Sequence, residues 1–475
     1  MSIRISRSYL NILFVLLALA AFIFLGLRSG GSAVVDEEQP AKVKRKTTGP
    51  QASVIAAPVP KKGPNAPPTP PSGFSPQIKF GFDVGDQWEP AIAVDRSGHV
   101  YAMFNQYYGV PGCDTCASPT MLIQTSNDHG QTWSAPRVLY PAGATTGGQW
   151  DPQISVDPVD GRTVYAAWLQ NNKSDIVVGK STDYGATWSV VVADDSNAAQ
   201  DKPIMAVRGQ DVYVVYNHAQ KIWAASSHDG GQTFTQTQIN VNGKLGWALP
   251  GGGTVTPNGH VFFAWAGYEQ NGGARGKVNL FVSKSVDGGA TWLNNVREVS
   301  RAPEKCPADY LCGWAYLGAQ MVMTSDNTGV VYVMWNSNSV DFAPGRVYFS
   351  KSTDDGVNWS AKVDVSTASN GISHNFPAIA AVGNGDVRIS WMDNRIPGWW
   401  NTYYRSSTNG GASWSAETDI SSYVSGYSYI TPDGFRFPFG DYYELDIDEQ
   451  GTAHVVMGEG WSYDSPGSVW YTRGK

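Results

Sequence analysis

Residues 181–188 read STDYGATW, between two runs of β-branched and aromatic residues, and five variants of the phrase recur along the chain. They are SNDHGQTW (126–133), SHDGGQTF (227–234), SVDGGATW (285–292), STDDGVNW (352–359) and STNGGASW (407–414). All fit one turn template. The Ser and Asp side chains bond nearby backbone N–H groups, Gly supplies a positive φ, and the closing aromatic plugs into a sheet. One copy would be ordinary turn chemistry, whereas six define a repeat architecture.

Each phrase follows a two-strand hairpin: apolar runs around a polar, mostly Gly-containing turn, at 90–104, 152–168, 203–216, 254–265, 321–335 and 377–391. A unit is then hairpin, third strand, Ser-x-Asp turn and fourth strand. A seventh hairpin, LDIDEQGTAHVVM (445–457), is followed by one more strand, SVWYTR (468–473), and there the chain stops. One strand is missing at the end and one is spare at the beginning, PQIKFGF (76–82). Joining them closes a ring without an unpaired sheet edge. The fold expected is all-β: a seven-bladed β-propeller of four-stranded antiparallel blades, closed by its N-terminal strand. Composition agrees, with 16% charged residues and 52 Gly, 18 Trp and 23 Tyr among 475 residues, a balance suited to turns and sheets rather than long helices.

The propeller is assigned to 73–475. Ahead of it, residues 1–28 contain LNILFVLLALAAFIFLGL (10–27) behind Arg4 and Arg7, which reads as a signal-anchor or transmembrane helix with a cytoplasmic N-terminus. Cleavage as a signal peptide near 31–33, giving a secreted protein, is the alternative. Residues 29–72 are rich in Pro, Lys, Ala and Gly, cannot bury a core, and read as a disordered linker; the bilayer is the partner of the helix, while KVKRK (42–46) is a solvated run or a lipid-headgroup contact. The chain carries −7 overall, but residues 73–475 hold 25 basic against 38 acidic side chains, a net of −13, which argues against nucleic acid as a partner. A monomer is expected.

Four cysteines form two close pairs, Cys113 with Cys116 and Cys306 with Cys312. In an exported protein two local disulfides are the default. A four-thiolate zinc site would call for tighter, matched spacing, and a redox CxxC for a thioredoxin-like context that is missing. No cofactor is indicated. Ca²⁺ is compatible with so many carboxylates, but no calcium-loop spacing is present.

The repeated phrase resembles the Asp box, or BNR repeat, of the sialidase-like β-propellers, with Asn409 replacing Asp in the last copy. The resemblance covers nearly all of 74–475 and implies that the boxes are structural and lie away from the ligand face. That face would be built from the loops joining strand two to three within a blade and strand four to the next blade. Sialidases carry three arginines for the substrate carboxylate, a Tyr with a Glu partner as nucleophile, and an Asp acid/base. The first of those arginines belongs to a Phe/Tyr-Arg-Ile-Pro motif ahead of the first box; here that approach reads DQWEPAIAVD, and NRIP occurs instead at 394–397.

Within GDYYELDID (440–448), Glu444 and Asp446 stand two apart on an inner strand. They therefore share a face, where crowding would raise a pKa for acid/base work; the alternative is that they bond neighbouring blades. Asp441 lies beside them, and Tyr442 or Tyr443 would serve as nucleophile or general base. Substrate-binding candidates are Trp88, Glu89, Trp150 and Asp151 before strand one, with the two tryptophans alternatively packing between blades. Asp393, with Arg275, Arg395 and Arg436 for an acidic sugar, and His218 and His374 as lyase bases, complete the set. The function expected is an exported, membrane-tethered propeller that binds cell-surface or extracellular glycans and, if an enzyme, cleaves them as a glycoside hydrolase or polysaccharide lyase. The alternative is a non-catalytic scaffold for protein–protein interaction or assembly outside the cytoplasm.

Overall fold

The computed structural model describes residues 70–140, 147–196, 199–240, 247–270, 275–304, 318–421, 430, 433–438, 443–462 and 465–475. The expected membrane helix and almost all of the linker lie outside them. Every regular element described is a β-strand, and no helix among the described residues is long and apolar enough to cross a membrane.

Six four-stranded antiparallel sheets follow one another, each with spatial order equal to chain order, and a seventh sheet joins the two ends of the propeller. The inner strands are Asp86–Val94, Trp150–Val156, Gln200–Arg208, Trp247–Val255, Met321–Ser325 and His374–Val382 in blades 1 to 6, and Glu444–Ile447 in blade 7. The closing strand is the one the sequence leaves spare. Ile78 pairs with Tyr471 and Lys79 with Trp470, and the ladder is extended by Ser75 N–H to Arg473 O and Phe80 N–H to Val469 O, both 2.8 Å. Phe80 is 1% exposed and packs against Phe104, Trp133 and Tyr471.

The apolar core is divided into seven clusters, each lying chiefly in a seam between neighbouring sheets. Amphipathic strands cause this: alternate residues point to opposite sheet faces, and each face is covered by the next blade. In the seam of blades 4 and 5 the backbones approach so closely that a Cβ on Gly252 would stand 2.4 Å from the Met323 nitrogen.

Each box works as a staple across the three–four turn. In the second, Ser181 Oγ donates to Asp183 (2.8 Å) and accepts from Gly185 N–H (2.9 Å), while Asp183 accepts from Thr187 N–H (2.9 Å) and Thr187 Oγ1 (2.6 Å). The Thr187 hydroxyl and N–H, with the Ser181 hydroxyl, hold Asp183 down to about 2. Asn409 fills the same role: its Oδ1 accepts from Ser407 Oγ and Ser413 N–H, both 2.9 Å.

Two details depart from the sequence reading. The inner strand of blade 7 is split, and Phe437–Pro438 as well as Glu444–Ile447 pairs with Ala453–Ser462, so this sheet has strand residues ahead of the hairpin expected at 445–457. In blades 1, 2, 3 and 6 the inner strand begins before the proline that seemed to start it. The residue preceding proline sits at positive φ (Glu89 55°, Asp151 54°, Lys202 53°, Phe376 53°), and the register shifts there. These are β-bulges, which let the strand continue past a residue that cannot donate to the ladder. Trp88, Glu89, Trp150, Asp151 and His374 are therefore strand residues beyond a bulge, not members of free loops.

Candidate functional site at the mouth of the central channel

The inner strands enclose a cavity of about 230 Å³ lined by Gln153, Lys202, Gln320, Tyr443, Glu444 and Asp446 among smaller apolar residues. From blade 7 to blade 3, carboxylates on the inner strands accept hydrogen bonds from the blades that follow, and Glu444 and Asp446 among them line the cavity. Glu444 accepts from Ile92 N–H (3.1 Å) and Gln153 Nε2 (2.8 Å), bridging blade 7 to blades 1 and 2. Asp446 accepts from Val94 N–H at 2.9 Å. Nearer the mouth, Glu89 accepts from Asn105 Nδ2 (2.6 Å) and from the N–H of Asp151 (3.0 Å), and Asp151 accepts from the N–H of Lys202 (3.1 Å). The bulges make these links, because they turn one residue per inner strand sideways toward its neighbour.

Burial lifts Glu444 to about 7 and Asp446 to about 6 against these hydrogen bonds. Burial, reinforced by the charge of Glu89, pushes Asp151 well above the usual carboxylate range. Such groups can hold a proton near neutrality, but their oxygens are occupied in tying blades together. Tyr443 is a buried member of the core shared by blades 6 and 7, and burial raises its phenol, the reverse of what a nucleophile or base requires. Asp441, Tyr442, Cys306, Cys312 and the Arg275 side chain lie outside the described residues.

Three of the remaining candidates, His218, His374 and Asp393, belong to a repeated cross-strand pair. The residue three before the proline faces a residue at or next to the end of the second strand: Gln87 Nε2 donates to Gln106 Oε1 (2.7 Å) and Gln149 Nε2 to Gln170 Oε1 (2.9 Å). Gln200 faces His218, and His374 faces Asp393, in the same register. His374 is fully buried. Its Nδ1 meets the Gly345 and Ile372 carbonyls at 3.0 and 2.9 Å, and Nε2 meets Ser366 Oγ at 2.7 Å. Carbonyls only accept, so Nδ1 carries the proton, and burial keeps the ring neutral. His218 bonds Ser196 Oγ at 3.0 Å. Arg395 is held by Asp393 (2.6 Å) and by Glu417, with its guanidinium 3.6 Å above the Tyr403 ring. Arg436 stacks on Trp399 at 5.4 Å. Among the described residues no three arginines converge as a carboxylate clamp would require.

What does converge is aromatic. Trp88 is buried, its ring centroid 5.3 Å from Tyr107, and the half-buried Trp150 donates from Nε1 to the Tyr107 hydroxyl at 3.0 Å. Tyr108 completes the group at 6.2 Å from Tyr107 and is 46% exposed. It sits at φ 65° with its N–H on Ser118 Oγ at 2.9 Å, on the strand two–three connection that also carries the Cys113–Cys116 disulfide. Tyr107 and Tyr108 were not singled out in the sequence; two adjacent tyrosines leading into a cysteine-bridged loop are the signal that marks them. No group of three or more His, Cys, Asp or Glu among the described residues is placed to hold a metal ion.

A family profile described as BNR repeat-like domain matches residues 83–304. Among curated proteins no match is found. Solved structures similar to this chain include an ulvan lyase described as a new family of polysaccharide lyase (11% identity, 83% of this chain and 95% of that one, TM-score 0.50). The NanB sialidase from Streptococcus pneumoniae shows 13% identity over 84% of this chain and 71% of its own, TM-score 0.46. A protein of unknown function from Dyadobacter fermentans shows 14% over 85% and 99%, TM-score 0.47. At such identities the likeness is one of fold. Six boxes at one place in six blades and the closed ring of seven sheets make the chain a seven-bladed β-propeller, which over residues 83–304 is similar to the BNR repeat-like domain.

Proposed function

We propose that this propeller is a glycan-binding protein whose site is the aromatic mouth between blades 1 and 2. The observation that carries the reading is the aromatic group Trp88, Tyr107, Tyr108 and Trp150, with Tyr108 presented to solvent on a loop that contains a disulfide-bridged turn. Fixed aromatic faces suit the C–H surface of a pyranose, and a preformed site spares the ligand the cost of ordering it. The carboxylates beneath are taken up in blade-to-blade bonds, so the reading is recognition rather than cleavage. Export with an N-terminal tether, as the apolar stretch at 10–27 implies, would set this face outside the cell.

The test is a glycan array probed with the purified protein, alongside a panel of chromogenic glycosides. Binding without turnover is expected, and Tyr108→Ala should weaken it roughly tenfold, the scale of one lost stacking contact. Turnover that Glu444→Gln abolishes would replace recognition by catalysis, and silence in both assays would favour the scaffold. Carbonate extraction of membranes tests the tether: a chain released as a soluble protein beginning near Val34 would remove it.

A further inference from the structure

We propose that the mouth selects uncharged glycans and turns acidic ones away; the inference rests on the glycan-binding reading. Charged side chains around the aromatic group are unequal in sign. Asp86, Glu89 and Asp201 are each at most 7% exposed in the first strands of blades 1 and 3, and the lysines buried near them are Lys173 and Lys202. Lys173 is already committed, with Nζ 3.2 Å from Asp201. Glu444 and Asp446 continue the acidic wall down the channel.

Four arginines among the described residues are already paired with carboxylates. Arg395 is clamped between Asp393 and Glu417. Arg346 donates to Asp364 at 2.9 Å and to the carbonyls of Ser366, Ala368 and Ser369. Arg301 pairs with Asp341 at 2.7 Å, and Arg388 with Asp386 at 2.7 Å. Pulling any of them to a ligand would strand a carboxylate now neutralised. A uronate or sialate stacking on Tyr108 would meet the field of a body whose net charge is −13, focused by the low-dielectric wall of the channel. A neutral sugar meets the same aromatic faces without that opposition, so the acidic wall acts as a filter on what the aromatics hold.

The experiment uses the full chain on an array of matched glycans, neutral oligosaccharides beside their uronic-acid and sialylated counterparts, at low and at physiological salt. Neutral members are expected to bind at least tenfold more tightly than their acidic partners at low salt, with the gap shrinking as salt rises. Glu89→Gln, which keeps a hydrogen-bond acceptor toward Asp151, should narrow the low-salt gap about threefold while leaving neutral binding in place. Acidic glycans bound as tightly as their neutral partners would overturn the inference and leave the glycan reading standing. Binding of no glycan of any class would remove both.

Discussion

The carboxylate of Glu89 accepts the backbone N–H of Asp151 across 3.0 Å, and Asp151 in turn accepts that of Lys202 across 3.1 Å, so three successive blades are linked by side chains that a single β-bulge per strand has turned sideways. Glu89→Ala would leave both Asp151 N–H and the Asn105 amide without this acceptor in a buried place. A loss of about 2–4 kcal/mol in urea unfolding is expected, with Glu89→Gln costing roughly 1 kcal/mol. An alanine variant as stable as the parent would show that the link contributes nothing.

Closure rests on Phe80 as much as on backbone pairing, since its ring fills the space between Phe104, Trp133 and Tyr471. Phe80→Ala should cost about 3–5 kcal/mol. Hydrogen exchange would locate the damage: amides of Ser468 to Arg473 should lose protection before those of blade 4.

Two sets of acids give stability opposite pH dependences. Asp183 and Asp287, held down to about 2 by their box threonines, stabilise the fold above the unfolded carboxylate range, and that help is lost as pH falls toward about 2. Glu444 at about 7, with Asp446 and Asp419 at about 6, keep protons that the unfolded chain gives up. Their contribution is most favourable in acid and declines as pH rises through about 4 to 7. His374 and His454, lowered by burial, oppose them below the usual imidazole range, yet three carboxyls outweigh two rings. Thermal melts should therefore peak near about pH 5 and fall toward pH 8, with Glu444→Gln flattening the alkaline limb. A flat profile above pH 5 in the parent protein would refute this assignment.

Asn409 bonds as the box aspartates do, with Nδ2 adding a contact to Ser413 Oγ at 2.8 Å. Asn409→Asp should be nearly neutral in calorimetry, whereas Asn409→Ala should lose about 1 kcal/mol. Equal losses for the two would mean that the turn is held by its glycines alone.

Most of the ring was legible because its signals are local and repeated. Ser-x-Asp turns, apolar hairpins and the spare strand at 76–82 each follow from a few adjacent residues, and the pairing of Ile78 with Tyr471 follows from counting strands. The site was harder to read. Proline at 90, 152, 203 and 377 marked a strand start, when the strand in fact runs on through a bulge whose positive φ at a non-glycine residue has no sequence signature. That one misreading moved Trp88, Glu89, Trp150, Asp151 and His374 into loops. Arg395 and His374 looked available because their partners are distant in sequence: Glu417, 22 residues on, meets Arg395 once blade 6 folds, and Ser366, 8 residues back, meets His374 once blade 6 packs on blade 5.

Lys475 N–H donates to Gly73 O at 3.2 Å, so the two ends of the folded ring are bonded side by side. A short peptide could bridge them without spanning any distance, and the chain could then be reopened at an exposed turn such as the one carrying Val357, 73% exposed. In that circular permutant blade 5 would be completed by a strand arriving from the new amino end, and blade 7 would become an ordinary uninterrupted unit. Every box turn is in this sense an equivalent place to begin the protein, and the native starting point is one choice among several that the architecture accepts.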